Sequence, residues 1–135
     1  MKPLLEAGCG YRKPYQIVSP QGPLQEMVWE EAEKSREVVI RNLRTSKEAS
    51  FHLVLLKDAE KPHVHDGHDL IAVVLRGKVS MHFADGTVKV QKGDVVEIPR
   101  GTLHWAENRG KEASLAYAVF TPPFDGEDYR LVRAS

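Results

Sequence analysis

The sequence predicts an all-β fold built as one domain. Short runs of β-branched and aromatic residues recur along the chain, and residues typical of tight turns separate them. A length of 135 residues suits one domain, and a hydrophobic content of 41% is enough to form a core. Many short strands at this spacing are typical of a barrel or a jelly roll.

Eight strands are predicted, each followed by turn chemistry such as Arg76-Gly77 or Arg109-Gly110. The alternation of side chains along these runs places successive residues on opposite faces of a sheet. In order along the chain, the predicted strands are Val38 to Leu43, Ser50 to Leu56, Leu70 to Leu75, Lys78 to Ala84, Thr87 to Gln91, Val95 to Ile98, Leu103 to Glu107 and Ser114 to Thr121.

Both ends of the chain depart from this strand pattern. Residues 1 to 30 are rich in Pro, Gly and Gln and are predicted to form an irregular arm. Residues 31 to 135 are predicted to form the barrel and its carboxy-terminal tail. Within the tail, Thr121-Pro-Pro-Phe-Asp-Gly126 breaks the last strand and is expected to wrap the outside of the barrel.

Charge and hydropathy argue against two classes of partner. The 19 basic and 19 acidic residues cancel, so there is no basic excess to hold a nucleic-acid backbone. The longest apolar runs, such as Leu70 to Leu75, are too short to span a membrane.

The amino terminus lacks the apolar core of a secretory signal, and the single cysteine, Cys9, cannot form an internal disulfide. We therefore expect a cytoplasmic protein.

Two segments that contain histidine indicate a metal site. In His63-Val-His65 the two side chains are two positions apart, so both project from one face of a strand. Neutral imidazole is the commonest metal ligand in proteins, and His104 in the second segment offers a third nitrogen. This donor set suits one divalent transition metal per chain, namely iron, manganese, nickel or zinc.

The same two segments resemble the paired motifs of the cupin superfamily. The second family motif, G-x5-P-x-G-x2-H-x3-N, matches in full from Gly93 to Asn108, and its chance occurrence is on the order of 10⁻⁵. The first motif, G-x5-H-x-H-x(3,4)-E-x6-G, matches at His63, His65 and Gly77 only. The resemblance implies a small single-domain cupin, a jelly-roll or double-stranded β-helix barrel with an amino-terminal arm and a metal inside its mouth.

The glutamate of the first motif is missing, which leaves the fourth metal ligand open. The family spacing puts this residue at Asp69 or at Leu70. Asp69 has the right chemistry, and a local bulge is required to turn it inward. His68 is an alternative from the preceding loop, and three histidines with water form another. Asn108 is expected to stabilise a turn rather than to bind metal.

Four further side chains are candidates for contact with a substrate, without an assigned role. His52 and His82 lie in predicted strands and are candidates for acid–base work, although such residues more often pair with backbone carbonyls. Tyr117 is a candidate to shape a pocket, and Arg41 to meet an anionic substrate.

Fold resemblance does not imply a reaction, because one fold hosts many chemistries. The first hypothesis is a metal-dependent enzyme, an oxygenase of the dioxygenase type, an isomerase or a lyase, that acts on a small polar organic acid, a sugar derivative or a thiol. The alternative is a non-catalytic module that binds a small ligand. Strands that are apolar on both faces, such as Phe51 to Leu56, predict a homodimer.

Overall fold

A computed structural model describes residues 17–18, 37–124 and 129–132. The chain divides into two units between Ser35 and Arg36, and every strand below belongs to the second unit. The predicted arm, residues 1 to 30, lies outside the described residues apart from Ile17 and Val18. Its boundary with the barrel at residue 31 stays a prediction.

The described residues form strands without any helix. Within this part of the chain, no segment is a helix of the length and apolar character needed to cross a membrane. The strands are β1 (Val38–Thr45), β2 (Ser50–Leu56), β3 (His63–His65), β4 (Asp69–Arg76), β5 (Lys78–Phe83), β6 (Gly86–Gln91), β7 (Val95–Ile98), β8 (His104–Asn108), β9 (Ser114–Thr121) and β10 (Tyr129–Leu131).

Eight of these strands correspond to the strands that the sequence pattern predicts, and two are not among them, although His63-Val-His65 is expected to lie on a strand. The additional strands, β3 and β10, are three residues long and pair with each other. A run of three residues is too short to show an alternating pattern in the sequence. Strand β3 carries both histidines of the first motif, as the expectation of a common face for them requires.

The strands form two five-stranded sheets in the orders β1-β2-β9-β4-β7 and β10-β3-β8-β5-β6. All pairings between the strands are antiparallel. Apolar side chains from both sheets line the space between them. The predicted all-β jelly roll is therefore confirmed.

The core lies between the two sheets. Leu56, Val74 and Ile98 come from the first sheet, and Val79 and Met81 from the second. Burying an aliphatic side chain of this size contributes about 1.5–3 kcal/mol. Strand alternation directs these residues inward, so the hydrophobic pattern itself holds the two sheets together.

The segment that follows β9 turns inward rather than around the outside. The ring of Phe124 stacks on Phe120, with ring centroids 4.7 Å apart. The backbone N–H of Phe124 donates to Oγ of the buried Ser50 at 2.9 Å. The expectation that this segment wraps the exterior is wrong at Phe124, whose ring packs on Phe120 and lines the cavity, whereas Thr121 and Pro122 are exposed.

A single glycine makes the turn between β4 and β5. Gly77 has φ = +98°, a conformation that L side chains rarely adopt. A Cβ added there would lie 2.8 Å from Cβ and 2.9 Å from Cα of Ser114. Gly93 has a similar φ of +95°, but nothing lies within 4 Å of a Cβ added there. The two glycines therefore share a backbone conformation and differ in the space around them.

We expect Gly77→Ala to destabilise the protein more than Gly93→Ala does. The second change should cost about 1–2 kcal/mol through backbone strain alone, and the first adds a steric clash with Ser114. Urea denaturation of both variants measures the free energies of unfolding. Equal losses for the two variants would contradict the predicted clash.

Candidate metal centre

Three histidines meet where β3 pairs with β8. His63 and His65 lie on β3, and His104 is the first residue of β8, directly opposite His63. Each residue offers one nitrogen, and these nitrogens all lie within 4.8 Å of one another. All three residues are buried. The structure thus brings together the histidines that the sequence singled out.

Backbone carbonyls fix the orientation of two of the rings. Nδ1 of His63 donates to the carbonyl oxygen of Lys61 at 2.7 Å, and Nδ1 of His104 donates to that of Thr102 at 2.9 Å. Because a carbonyl oxygen only accepts, Nδ1 carries the proton and Nε2 keeps its lone pair. Ligands that share one metal through nitrogen lie at most about 4.2 Å apart. The three nitrogens lie within 4.8 Å of one another, so a small inward movement of the rings would bring them to the spacing that a shared metal requires. The donor set therefore fits a divalent transition metal.

Burial keeps these imidazoles in the form that binds metal. It lowers the pKa of His63, against a smaller opposing effect of the hydrogen bond to Lys61. It also lowers the pKa of His104. Both rings are therefore neutral near pH 7, and a neutral ring offers a lone pair to a cation.

The turn of the second motif is attached directly to β3. Gly101 has φ = +80°, and its N–H donates to the carbonyl oxygen of His65 at 2.8 Å. At the other end of β8, the side-chain amide of Asn108 donates to the carbonyl of Glu112 at 2.9 Å, and its Oδ1 accepts from Oγ of Ser114 at 2.6 Å. Asn108 therefore stabilises a turn, as expected.

Asp69 does not belong to the histidine cluster. Its Oδ2 pairs with the guanidinium of Arg100 at 3.1 Å, and its Oδ1 accepts the backbone N–H of Arg100 at 2.9 Å. These hydrogen bonds hold the pKa of Asp69 below its usual value. The bulge that would turn Asp69 inward is not at this position, because β4 is irregular only between Val74 and Arg76. Asp69 instead holds the turn that leads to His104.

His68 and Leu70, on either side of Asp69, also stand outside the cluster. Nε2 of the buried His68 donates to the carbonyl oxygen of Pro123 at 2.9 Å, and its ring lies against Phe124 with centroids 5.6 Å apart. Leu70, the other position at which the family spacing puts the glutamate, lines the cavity between the sheets. Neither residue places a ligand atom with the three clustered nitrogens.

His52 is buried behind the aromatic layer formed by Phe120 and Phe124. It is 3% exposed, and its Nε2 forms a hydrogen bond of 2.7 Å with Oγ of Ser50. Its ring meets Phe120 edge-on, with centroids 5.3 Å apart. Burial lowers the pKa of His52, and its Nδ1 has no hydrogen-bond partner among the described residues.

The other three candidates also lie away from the cavity lining that the structure describes. Nε2 of His82 donates to Oε1 of Glu107 at 2.9 Å, and both side chains are partly exposed. The ring of Tyr117 stacks with Phe51, with centroids 6.4 Å apart, and burial raises the pKa of Tyr117. Arg41 is partly buried on β1. The structure therefore does not bring these residues to the histidine cluster.

Glu60 faces the cavity, and the sequence analysis did not single it out. Its Oε1 accepts the backbone N–H of Ala106 at 2.9 Å, and Ala106 is two residues after His104 on the same face of β8. Burial raises the pKa of Glu60, against an opposing electrostatic effect of His104. The only sequence signal is its place three residues before His63, in a loop where acidic residues are common.

The cavity itself is mainly apolar. The space inside it is about 880 Å³ when the open solvent at its mouth is counted. The polar side chains among the described residues that line it are Glu60, His63, His65, His104 and Ser114.

The sequence matches a known family over the segment that carries this site. Residues 52–120 match the model of the Cupin domain, which is just over half of the chain. The chain belongs to the cupin family. An uncharacterized protein of Aquifex aeolicus is 34% identical to this cupin over 105 residues, which are 78% of this chain and 86% of the relative.

Solved structures share the fold at low sequence identity. KdgF from Halomonas sp. superposes with a TM-score of 0.64 at 22% identity, over 75% of this chain and 91% of that one. The polyketide cyclase RemF from Streptomyces resistomycificus gives a TM-score of 0.61 at 22% identity, over 74% of each chain. These likenesses show a common fold, and the family membership confirms the predicted small cupin.

We expect Glu60→Gln to stabilise the metal-free protein near neutral pH. Because the pKa of Glu60 is raised on folding, its contribution to stability is present below the unfolded value of 4.5 and is lost as pH rises through the folded value. The stability gain of the variant should therefore grow from pH 4 to pH 8. Thermal unfolding at several pH values measures it, with Glu97→Gln as the control because Glu97 is exposed. A gain that does not vary with pH would contradict this assignment.

Proposed function

We propose that this cupin is a metal-dependent enzyme for a small organic molecule, with one divalent transition metal held by His63, His65 and His104. The observation that carries the proposal is the set of three buried imidazole nitrogens within 4.8 Å of one another. A buried cluster of neutral donors next to a mainly apolar cavity is typical of a metal site that a small molecule can reach.

Some residues would hold the metal, and others orient the side chains that hold it. The three imidazoles would bind the metal through nitrogen, and the carbonyls of Lys61 and Thr102 fix the rings of His63 and His104. A divalent metal at this position would supply Lewis-acid chemistry by polarising an oxygen of the bound molecule. Glu60 presents a carboxylate to the same cavity, and its Oε1 is held by the N–H of Ala106. A carboxylate so placed can exchange a proton with a bound molecule.

Asp69 and His68 contribute to this site by positioning. Asp69 holds Arg100 and the turn before His104, while His68 attaches the tail through Pro123. If His63, His65 and His104 hold the metal, three protein nitrogens would leave room for water or a bound molecule, as in catalytic rather than structural sites. This supports the alternative in which three histidines and water form the metal shell.

An oxygenase, an isomerase and a lyase remain the candidate reactions, because the same ligands serve each. The likeness of fold to a polyketide cyclase supports an enzyme only to the extent that the same fold belongs to an enzyme in that case. The second candidate function is non-catalytic binding of a small ligand, which the mainly apolar cavity favours. A binder that needs no metal should keep its ligand affinity after His104→Ala.

We also propose a homodimer and a cytoplasmic location. Exposed apolar side chains support the dimer, since Ile71 is 44% exposed and Val95 is 58% exposed on adjacent strands. The single cysteine is typical of a reducing compartment. Sedimentation equilibrium gives the mass in solution, and a monomer at all concentrations would contradict the dimer.

We expect the purified protein to bind about one iron, manganese, nickel or zinc ion per chain, and His104→Ala to weaken this binding. The loss of affinity should exceed about 100-fold, because even groups that only orient ligands contribute 10–100-fold. Elemental analysis of protein prepared without chelators or nickel columns, followed by calorimetric titration with each metal, makes the measurement. His82→Ala is the matched control, since the partly exposed His82 pairs with Glu107 and is not among the described residues that line the cavity. Absence of metal binding even after reconstitution would overturn the metalloenzyme.

A further inference from the structure

The cavity has an unusual balance of charge for a site that takes organic acids or sugars. Glu60 is the only residue with an acidic side chain among the described residues that line it, and none of them is a lysine or an arginine. The remaining polar groups are the three histidines and Ser114. From this lining we infer that the cavity takes a molecule with an apolar body and one amino or hydroxyl group that donates to Glu60, rather than a carboxylic acid or a sugar.

The inference rests on the proposed function only in taking this cavity as the ligand site. Its first support is the geometry of Glu60. The hydrogen bond from Ala106 holds Oε1 in place, and among the described residues no hydrogen bond to Oε2 is made. A carboxylate fixed through one oxygen and directed into a cavity is an acceptor for a donor group of a ligand.

The second support is the character of the walls. Small side chains on neighbouring strands, among them Ala72, Ala116 and Ala118, widen the space between the sheets. Larger aliphatic and aromatic side chains, including Val54, Ile98 and Phe120, line the rest. A sugar would bury several hydroxyl groups against these walls without partners, and each such group costs free energy. An alkyl or aryl body suffers no such loss.

The third support is electrostatic. In the metal-free protein, a carboxylate ligand would face the carboxyl group of Glu60, and none of the described residues that line the cavity is a lysine or an arginine that could balance either charge. Like charges in such surroundings repel strongly. An ammonium or hydroxyl group in the same place forms a hydrogen bond to the carboxylate instead, and an ammonium also cancels its charge.

Three six-carbon probes that differ only in their polar group test the charge preference. Hexylamine, 1-hexanol and hexanoate are positive, neutral and negative at pH 7, and calorimetry on the metal-free protein gives each affinity. Hexylamine should bind about tenfold or more tightly than hexanoate, the size of one charge-assisted hydrogen bond. Equal or tighter binding of hexanoate, or no binding of any probe, would overturn the inference.

Glu60→Gln tests whether this residue is responsible, since the amide keeps the shape and an oxygen acceptor for Ala106. The variant should bring the affinities of hexylamine and hexanoate to within about threefold of each other. Glu97→Gln, on the exposed side of β7, should leave the preference of the native protein unchanged. The same shift in both variants would rule out Glu60 as the selecting group.

The apolar body is tested with ethylamine, butylamine and hexylamine on the native protein, which needs no variant. Affinity should rise by about fourfold per methylene. A flat series would overturn the apolar class. All of these measurements use metal-free protein, so their failure is distinct from failure to bind metal. Protein that binds metal but shows no such preference would retain the proposed metal centre and lose the ligand assignment.

Discussion

The constraint on which this structure depends is that polar groups inside an apolar jelly roll must have partners. The space between the sheets is lined mainly by aliphatic side chains, and a polar group buried there without a hydrogen bond is costly. Two of the imidazoles in the cavity satisfy this requirement through backbone carbonyls, and Glu60 through a backbone N–H. The same hydrogen bonds that make burial tolerable fix the direction of each ring and of the carboxylate.

The two sequence motifs act as one unit because the chain joins them through the backbone. The N–H of Gly101 donates to the carbonyl of His65, and Asp69 binds Arg100 in the same turn. Each motif therefore holds the other at the distance that clusters the three nitrogens. Asp69 gains a role that needs its charge and its two oxygens, although it binds no group inside the cavity.

Glu60 illustrates how a group that we propose to be functional can oppose stability. Burial raises its pKa, because the surroundings disfavour the charged form of the side chain. A neutral side chain at this position would make the folded protein more stable. The presence of a glutamate here is therefore easiest to understand if Glu60 has a function in the cavity. A divalent metal beside His104, or a cationic group on a ligand, would relieve that cost.

The sequence by itself determined most of the strand pattern, the turn at Gly77 and the three histidines, because each depends on residues that are close along the chain. It also restricted the missing glutamate to Asp69 or Leu70 by counting. Only the tertiary structure decided that Asp69 turns to Arg100, that Phe124 folds inward against Phe120, and that Glu60 faces the cavity. Strand spacing fixes the face on which a side chain lies, whereas its partner comes from a distant segment. Arg100 is 31 residues from Asp69, and Ala106 is 46 residues from Glu60. Such pairings follow from how the two sheets close over each other, and no local pattern records them.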